Sequence, residues 1–99
     1  MLARFSAADP VAQRYMRAAS VLGTRFRPLV AAAIADLPAG QAPGAVEALF
    51  RADLLRSDDA GWARFRHGLI RQAIYDDLVP PARAYLHERA LRTLLIAGG

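Results

Sequence analysis

Few side chains in this 99-residue chain are able to do chemistry. There are two histidines, His67 and His87, and no cysteine. No serine stands in a G-x-S-x-G turn, so no strained nucleophile is offered. No GxxxxGK[ST] or GxGxxG loop is present to cradle the phosphates of a nucleotide. Asp76 and Asp77 are adjacent on a helical stretch, so their carboxylates diverge by about 100° and read as a solvated helix surface. An independent enzyme is therefore not expected. The remaining candidates lie around one phrase: Trp62, Arg64 and Arg66 alternate along one side of a short extended stretch, and His67 follows. Arginines placed there can contact phosphate or a partner surface. His67 itself has three readings. It could hydrogen-bond backbone as a structural residue, contact a phosphate held mainly by another domain, or ligate a metal, for which no second ligand stands at a suitable spacing.

The segment that must position His67 is Ala63–Leu78, ARFRHGLIRQAIYDDL. Its first residues alternate, with Ala63, Phe65 and His67 on one side and Trp62, Arg64 and Arg66 on the other. From Leu69 the period becomes helical, with Leu69, Ile70, Ala73, Ile74 and Leu78 forming one stripe. His67 thus falls where a strand ends and a helix N-terminus begins. Unpaired N–H groups and partial positive charge favour anions at such a place.

Upstream, Asp9-Pro10 reads as a helix start, a capping carboxylate followed by proline at the first helical position. The stripe Val11, Tyr15, Ala18, Ala19 and Leu22 follows, and Gly23 supplies the stop. Thr24–Arg27 is an extended link with Phe26 directed into the core. Pro28 opens a short helix over Leu29–Asp36, ended by Leu37-Pro38. Ala39–Gly44 is a turn, and a third helix is expected over about Ala45–Ala52, with Val46, Leu49, Phe50 and Leu54 facing inward. Leu54–Arg56 is the one candidate partner for the strand at Trp62–Arg66, across the polar turn Ser57–Gly61. The fourth helix, Gly68–Leu78, is ended by Pro80 and Pro81. A fifth runs from about Pro81 or Ala82 to Ile96, with Ala82, Tyr85, Leu86, Ala90 and Leu94 on its packing stripe. His87, Leu91 and Leu95 form a second, partly apolar face, which predicts a neighbour or self-association.

The fold class expected is mainly α. Three helices followed by a two-stranded β-hairpin wing and a fourth helix make a winged helix over residues 1–79, and residues 80–99 begin a further helical region. Composition agrees with one small domain. Apolar residues make up 55% of the chain, which argues against disorder. Net charge is +4, and all thirteen basic residues are arginine. Such usage reads as coding bias, which weakens basicity as an argument for nucleic acid. The third helix would be the recognition helix of a DNA-binding protein, yet its polar residues Glu47, Arg51 and Asp53 include two acids. Autonomous DNA binding is thus the secondary reading. The longest apolar run, Leu29–Ala35, falls short of the roughly 20 residues of a membrane span, and Met1–Pro10 carries no export signal. The expected location is the cytoplasm.

Arg64–Ala90, RFRHGLIRQAIYDDLVPPARAYLHERA, resembles the winged-helix segment of bacterial STAND-type signal-transduction ATPases. Similar segments occur in large ATP-binding LuxR-type transcriptional regulators and in ATPase modules fused to adenylate cyclases or protein kinases. The family phrase F-R-H-x-L-[IL]-R-x-[AV]-[IV]-Y, a proline break and R-x-x-L-H-x-x-[AI]-A are matched by Phe65, Arg66, His67, Leu69, Ile70, Arg71, Ala73, Ile74, Tyr75, Arg83, Leu86, His87 and Ala90. Ala18–Gly23 with Phe26 resembles the family's A-A-x-[VL]-[LI]-G-x-x-F. The resemblance implies a regulatory, non-catalytic piece of a transcriptional regulator or signalling protein. No cofactor is then expected in this chain, since ADP or ATP is held mainly by a nucleotide-binding domain outside these residues. His67 would sense the nucleotide phosphate, as the histidine of the Met-His-Asp phrase does in related NB-ARC proteins, although Arg66 and Gly68 flank it here. Trp62, Arg64, Arg66 and Arg71 are candidate interdomain or nucleic-acid contacts. The implied partners are that nucleotide-binding domain and a helical-repeat sensor region; no membrane is among them. The alternative is a free-standing winged-helix DNA-binding protein.

Overall fold

Proline at the head of a helical stretch and glycine beyond its end bound the first helix, α1 (Pro10–Ser20). Gly23 follows with φ +106°, a left-handed backbone that glycine adopts without a Cβ clash. The structure, a computed structural model, describes residues 10–37 and 40–96. The expected cap at Asp9, the stop at Pro38 and the start of the turn at Ala39 lie outside the described residues. After α1 come β1 (Arg25–Phe26), α2 (Pro28–Ala35), α3 (Ala42–Arg51), β2 (Leu55–Ser57), β3 (Ala63–Phe65), α4 (Gly68–Asp77) and α5 (Pro80–Ile96). The described residues therefore form five helices and a small three-stranded antiparallel sheet of order β1-β3-β2, an arrangement compatible with a winged-helix class.

Two boundaries differ from expectation for a physical reason. The third helix starts at Ala42, earlier than expected, because Pro43 occupies the first helical turn, where its missing N–H costs nothing. The link before α2 contains a strand. Arg25 lies opposite Arg64 and Phe26 opposite Ala63, so β3 has two partners where the sequence suggested one. Pairing on both sides also places Ala63 and Phe65 in the core, with Arg64 between them on the open face.

α1 is the spine of the molecule. One side, with Ala12, Tyr15, Met16 and Ala19, packs on Phe26, Ala31, Leu49, Leu55, Phe65, Ile70 and Ile74. Ala12 and Met16 were not in the expected stripe, whereas Val11 and Leu22 are only half-buried. Tyr15 is fully buried, and its hydroxyl donates to the Pro28 carbonyl at 3.0 Å, so its one polar atom is satisfied. Phe26 and Phe65 meet at a ring-centroid distance of 5.6 Å. The other side of α1, with Ala18, and Val21 just beyond its end pack on Ile34, Ala35, Leu78 and Ala90. Small residues on α1 let both layers approach closely. The last helix is thereby tied to α2 through an apolar layer of its own.

Leu69 does not belong to the buried stripe of α4. It is 79% exposed, while Ile70, Ile74 and Leu78 are buried at intervals of four. Leu69 sits in the first turn of α4, on the side away from α1. Tyr85 is exposed as well, and the inward side of α5 consists of Ala90 with half-buried Ala82 and Leu86. No helix among the described residues is long and apolar enough to cross a membrane.

Candidate functional site

β3 and the first turn of α4 meet at Arg66-His67. The ladder ends after Phe65, whose N–H donates to the Thr24 carbonyl at 3.1 Å, and the Arg66 N–H closes on the Leu54 carbonyl at 3.1 Å. Beyond that point no strand partner holds the alternation. His67, expected on the same side as Ala63 and Phe65, is exposed where they are buried. Its backbone remains extended (φ −129°, ψ 134°), and it occupies the N-cap position of α4 without a side-chain capping bond. The imidazole Nε2 accepts from the Arg66 Nε at 3.1 Å. Arg66 also pairs with Asp53. The structural reading of His67, in which it would bond backbone, thus has no support among its side-chain contacts. At the junction stand an exposed imidazole, a guanidinium and a helix N-terminus without a side-chain cap, a combination that attracts anions.

Next to it lies a second feature. Arg25, Arg64 and Arg56 are directly opposite one another on the three strands, so all three project from one face of the sheet. All three are exposed. Trp62 continues this face at its edge, with the guanidinium of Arg25 4.3 Å and that of Arg27 4.4 Å from its ring centroid. Acids stand at both ends of the row. Arg25 donates to Asp58 at 2.9 Å, and Arg56 to Asp53 at 3.3 Å. Arg64, in the centre, has no ion pair or hydrogen-bond partner among the described side chains. Spacing alone does not single out Arg25, Arg27 and Arg56 as part of this face. The alternation Arg25-Phe26-Arg27 was the signal, and it acquires meaning only once β1 is recognised as a strand.

Asp58 organises the hairpin. Its carboxylate accepts from the N–H groups of Ala60 at 3.0 Å and Trp62 at 2.9 Å, while Gly61 takes φ +84°. Desolvation pushes this carboxyl up, but the Trp62 N–H, the Arg25 guanidinium and the Ala60 N–H outweigh that and hold it below the ordinary carboxylate value.

The other candidates are committed to the fold. Arg71, expected at an interface, donates to the Ser20 carbonyl at 2.8 Å and lies over the Tyr75 ring. His87 meets the Tyr75 hydroxyl at 2.8 Å, so it joins α5 to α4. Leu91 and Leu95 are exposed, as are Leu94 and Ile96. Among the described residues no group of three or more His, Cys, Asp or Glu side chains is placed to hold a metal. The grooves between helices are open, including an apolar one lined by Pro28, Leu29, Ala32, Ala42, Pro43 and Val46. Compared with known proteins, the chain matches no family model, no curated protein and no solved structure.

Proposed function

We propose that this chain is a non-catalytic regulatory winged-helix module of a nucleotide-dependent signalling protein of the STAND type. It docks on a nucleotide-binding domain through the Arg66-His67 junction and couples that domain to a helical region through α5. The observation that carries the reading is the exposed imidazole of His67 at the N-cap of α4, beside Arg66 and without a side-chain cap. An anion supplied from outside, the phosphate of a bound ADP, completes that arrangement. The apolar residues Leu91, Leu95 and Ile96 on α5 offer the next helical layer a surface. Nucleotide exchange then acts by shifting the population of docked and undocked modules.

A second reading, a free-standing winged-helix DNA-binding protein, is favoured by one observation, the arginine face of the sheet. Titration of duplex DNA at several salt concentrations separates the two. The docking reading expects binding no tighter than the non-specific range, about 10⁻⁴–10⁻⁶ M. Tighter binding with a steep salt dependence, lost in Arg64→Ala and Arg66→Ala, contradicts it.

A further inference from the structure

We infer that the row Arg25–Arg64–Arg56 is a docking surface for a protein partner that presents a pair of carboxylates, with Arg64 as its centre. Neighbouring strands lie about 4.8 Å apart, and like charges directly opposite each other on a sheet destabilise it. Here three guanidinium groups stand abreast. The flanking acids relieve the two ends, Asp58 on Arg25 and Asp53 on Arg56. The middle cation is left uncompensated among the described residues. A surface that carries an unrelieved charge across an exposed sheet is completed by an anion from outside.

Three features decide which anion. First, the row is short and is bounded by carboxylates at both ends. A continuous phosphodiester chain laid along it would have to pass over Asp58 or Asp53. Second, the guanidinium groups of Arg25 and Arg27 already lie over the Trp62 ring, so a base stacking there competes with two cation–π contacts. Third, the arginines of the row already take carboxylates through their Nε edges at 2.9 and 3.3 Å, which leaves part of each fork for a second one. A pair of carboxylates arriving over Arg64 satisfies the surface, and a long polyanion does not. The partner is therefore an acidic patch on a protein. This inference rests on the docking reading above only in taking the partner to be a protein; it involves neither His67 nor a nucleotide.

The chain contains one tryptophan, and it sits at the edge of the row, so its fluorescence reports occupancy directly. The experiment titrates the 99-residue chain with a short oligoglutamate peptide, with duplex DNA and with inorganic pyrophosphate, following Trp62 emission and backbone amide shifts. The inference expects the peptide to shift the amides of Arg25, Arg56 and Arg64, and Arg64→Glu to weaken its binding about tenfold or more. Arg51→Glu on α3 changes net charge equally and is expected to leave peptide binding within a factor of about two. Arg64→Gln, which removes the charge and keeps a shorter polar side chain on the exposed face, guards against a folding defect and is expected to weaken binding in the same direction. Peptide shifts scattered over the surface, equal loss in Arg51→Glu, or a marked preference for DNA or pyrophosphate over the peptide overturns the inference. The nucleotide role of His67 stands or falls separately, because the peptide arm contains no phosphate.

Discussion

Asp58 concentrates several roles in one side chain: it closes the β2–β3 turn through two N–H groups and holds Arg25 beside the sheet. Its carboxyl titrates below the ordinary value of 3.8 in the folded state. A depressed folded pKa gives stability that is fully present above the unfolded value and is lost as the pH falls through the folded one. The hairpin is thus expected to loosen in acid, starting near pH 4. In Asp58→Asn this acid step is expected to shrink relative to the wild type; hydrogen exchange of the Trp62 amide across the acid range measures it. An unchanged step in the variant contradicts the role given to Asp58. Other arginines show why this composition suits the fold. Arg14 and Arg89 both donate to carbonyls at the end of α2, Arg14 to Ala35 at 2.7 Å and Arg89 to Ile34 at 2.9 Å and Ala33 at 3.0 Å. Arg83 does the same for α4, through the Leu78 carbonyl at 3.1 Å. Cations at a helix C-terminus meet its partial negative charge, and a guanidinium fork can serve two carbonyls at once. Part of the net positive charge is therefore structural.

At the scale of elements, two aspartates end helices in the left-handed region, Asp36 with φ 55° and Asp53 with φ 62°. They carry different loads. Asp36 lets its own N–H reach the Ala33 carbonyl and that of Leu37 reach Ala32, and its carboxylate is in no ion pair among the described residues. Asp53 has the same backbone but pairs with both Arg56 and Arg66. Asp36→Gly is accordingly expected to raise stability by no more than about 1 kcal/mol, since the left-handed clash that glycine relieves, about 1–2 kcal/mol, is offset by its larger entropy loss on folding, about 0.5–1 kcal/mol. Asp53→Gly is expected to gain less than Asp36→Gly, because it also frees two arginines; paired denaturant unfolding curves give the comparison. The same elements show what the sequence could reveal. The helices were legible because Pro10, Pro28, Gly23 and the Pro80-Pro81 pair punctuate strong apolar periods. β1 was not, because two residues carry no period and become a strand only through a partner nearly forty positions away. Pro43 is ambiguous in the sequence because one residue type both breaks helices and starts them. The period change places His67 at the junction, and His67 is exposed while Ala63 and Phe65 are buried, because alternation persists only while a ladder enforces it and the ladder ends at Phe65.

At the scale of the whole molecule, α1 divides the interior into two apolar layers, one holding the sheet and α3, the other holding α5. The sheet side carries the arginine face and the His67 junction, and α5 carries exposed Leu91, Leu95 and Ile96. The two surfaces are joined through α1, α4 and the Tyr75–His87 contact at 2.8 Å. The central claim is that His67 helps hold a nucleotide phosphate contributed by a neighbouring domain. The most direct measurement of this proposal is the rate of ADP release from a polypeptide in which these residues are joined to a nucleotide-binding domain of the STAND type, compared between wild type and His67→Ala. A hydrogen bond to a charged group is worth about 1.5–3 kcal/mol, so release is expected to quicken about tenfold to hundredfold. ADP release unchanged by His67→Ala would contradict the account.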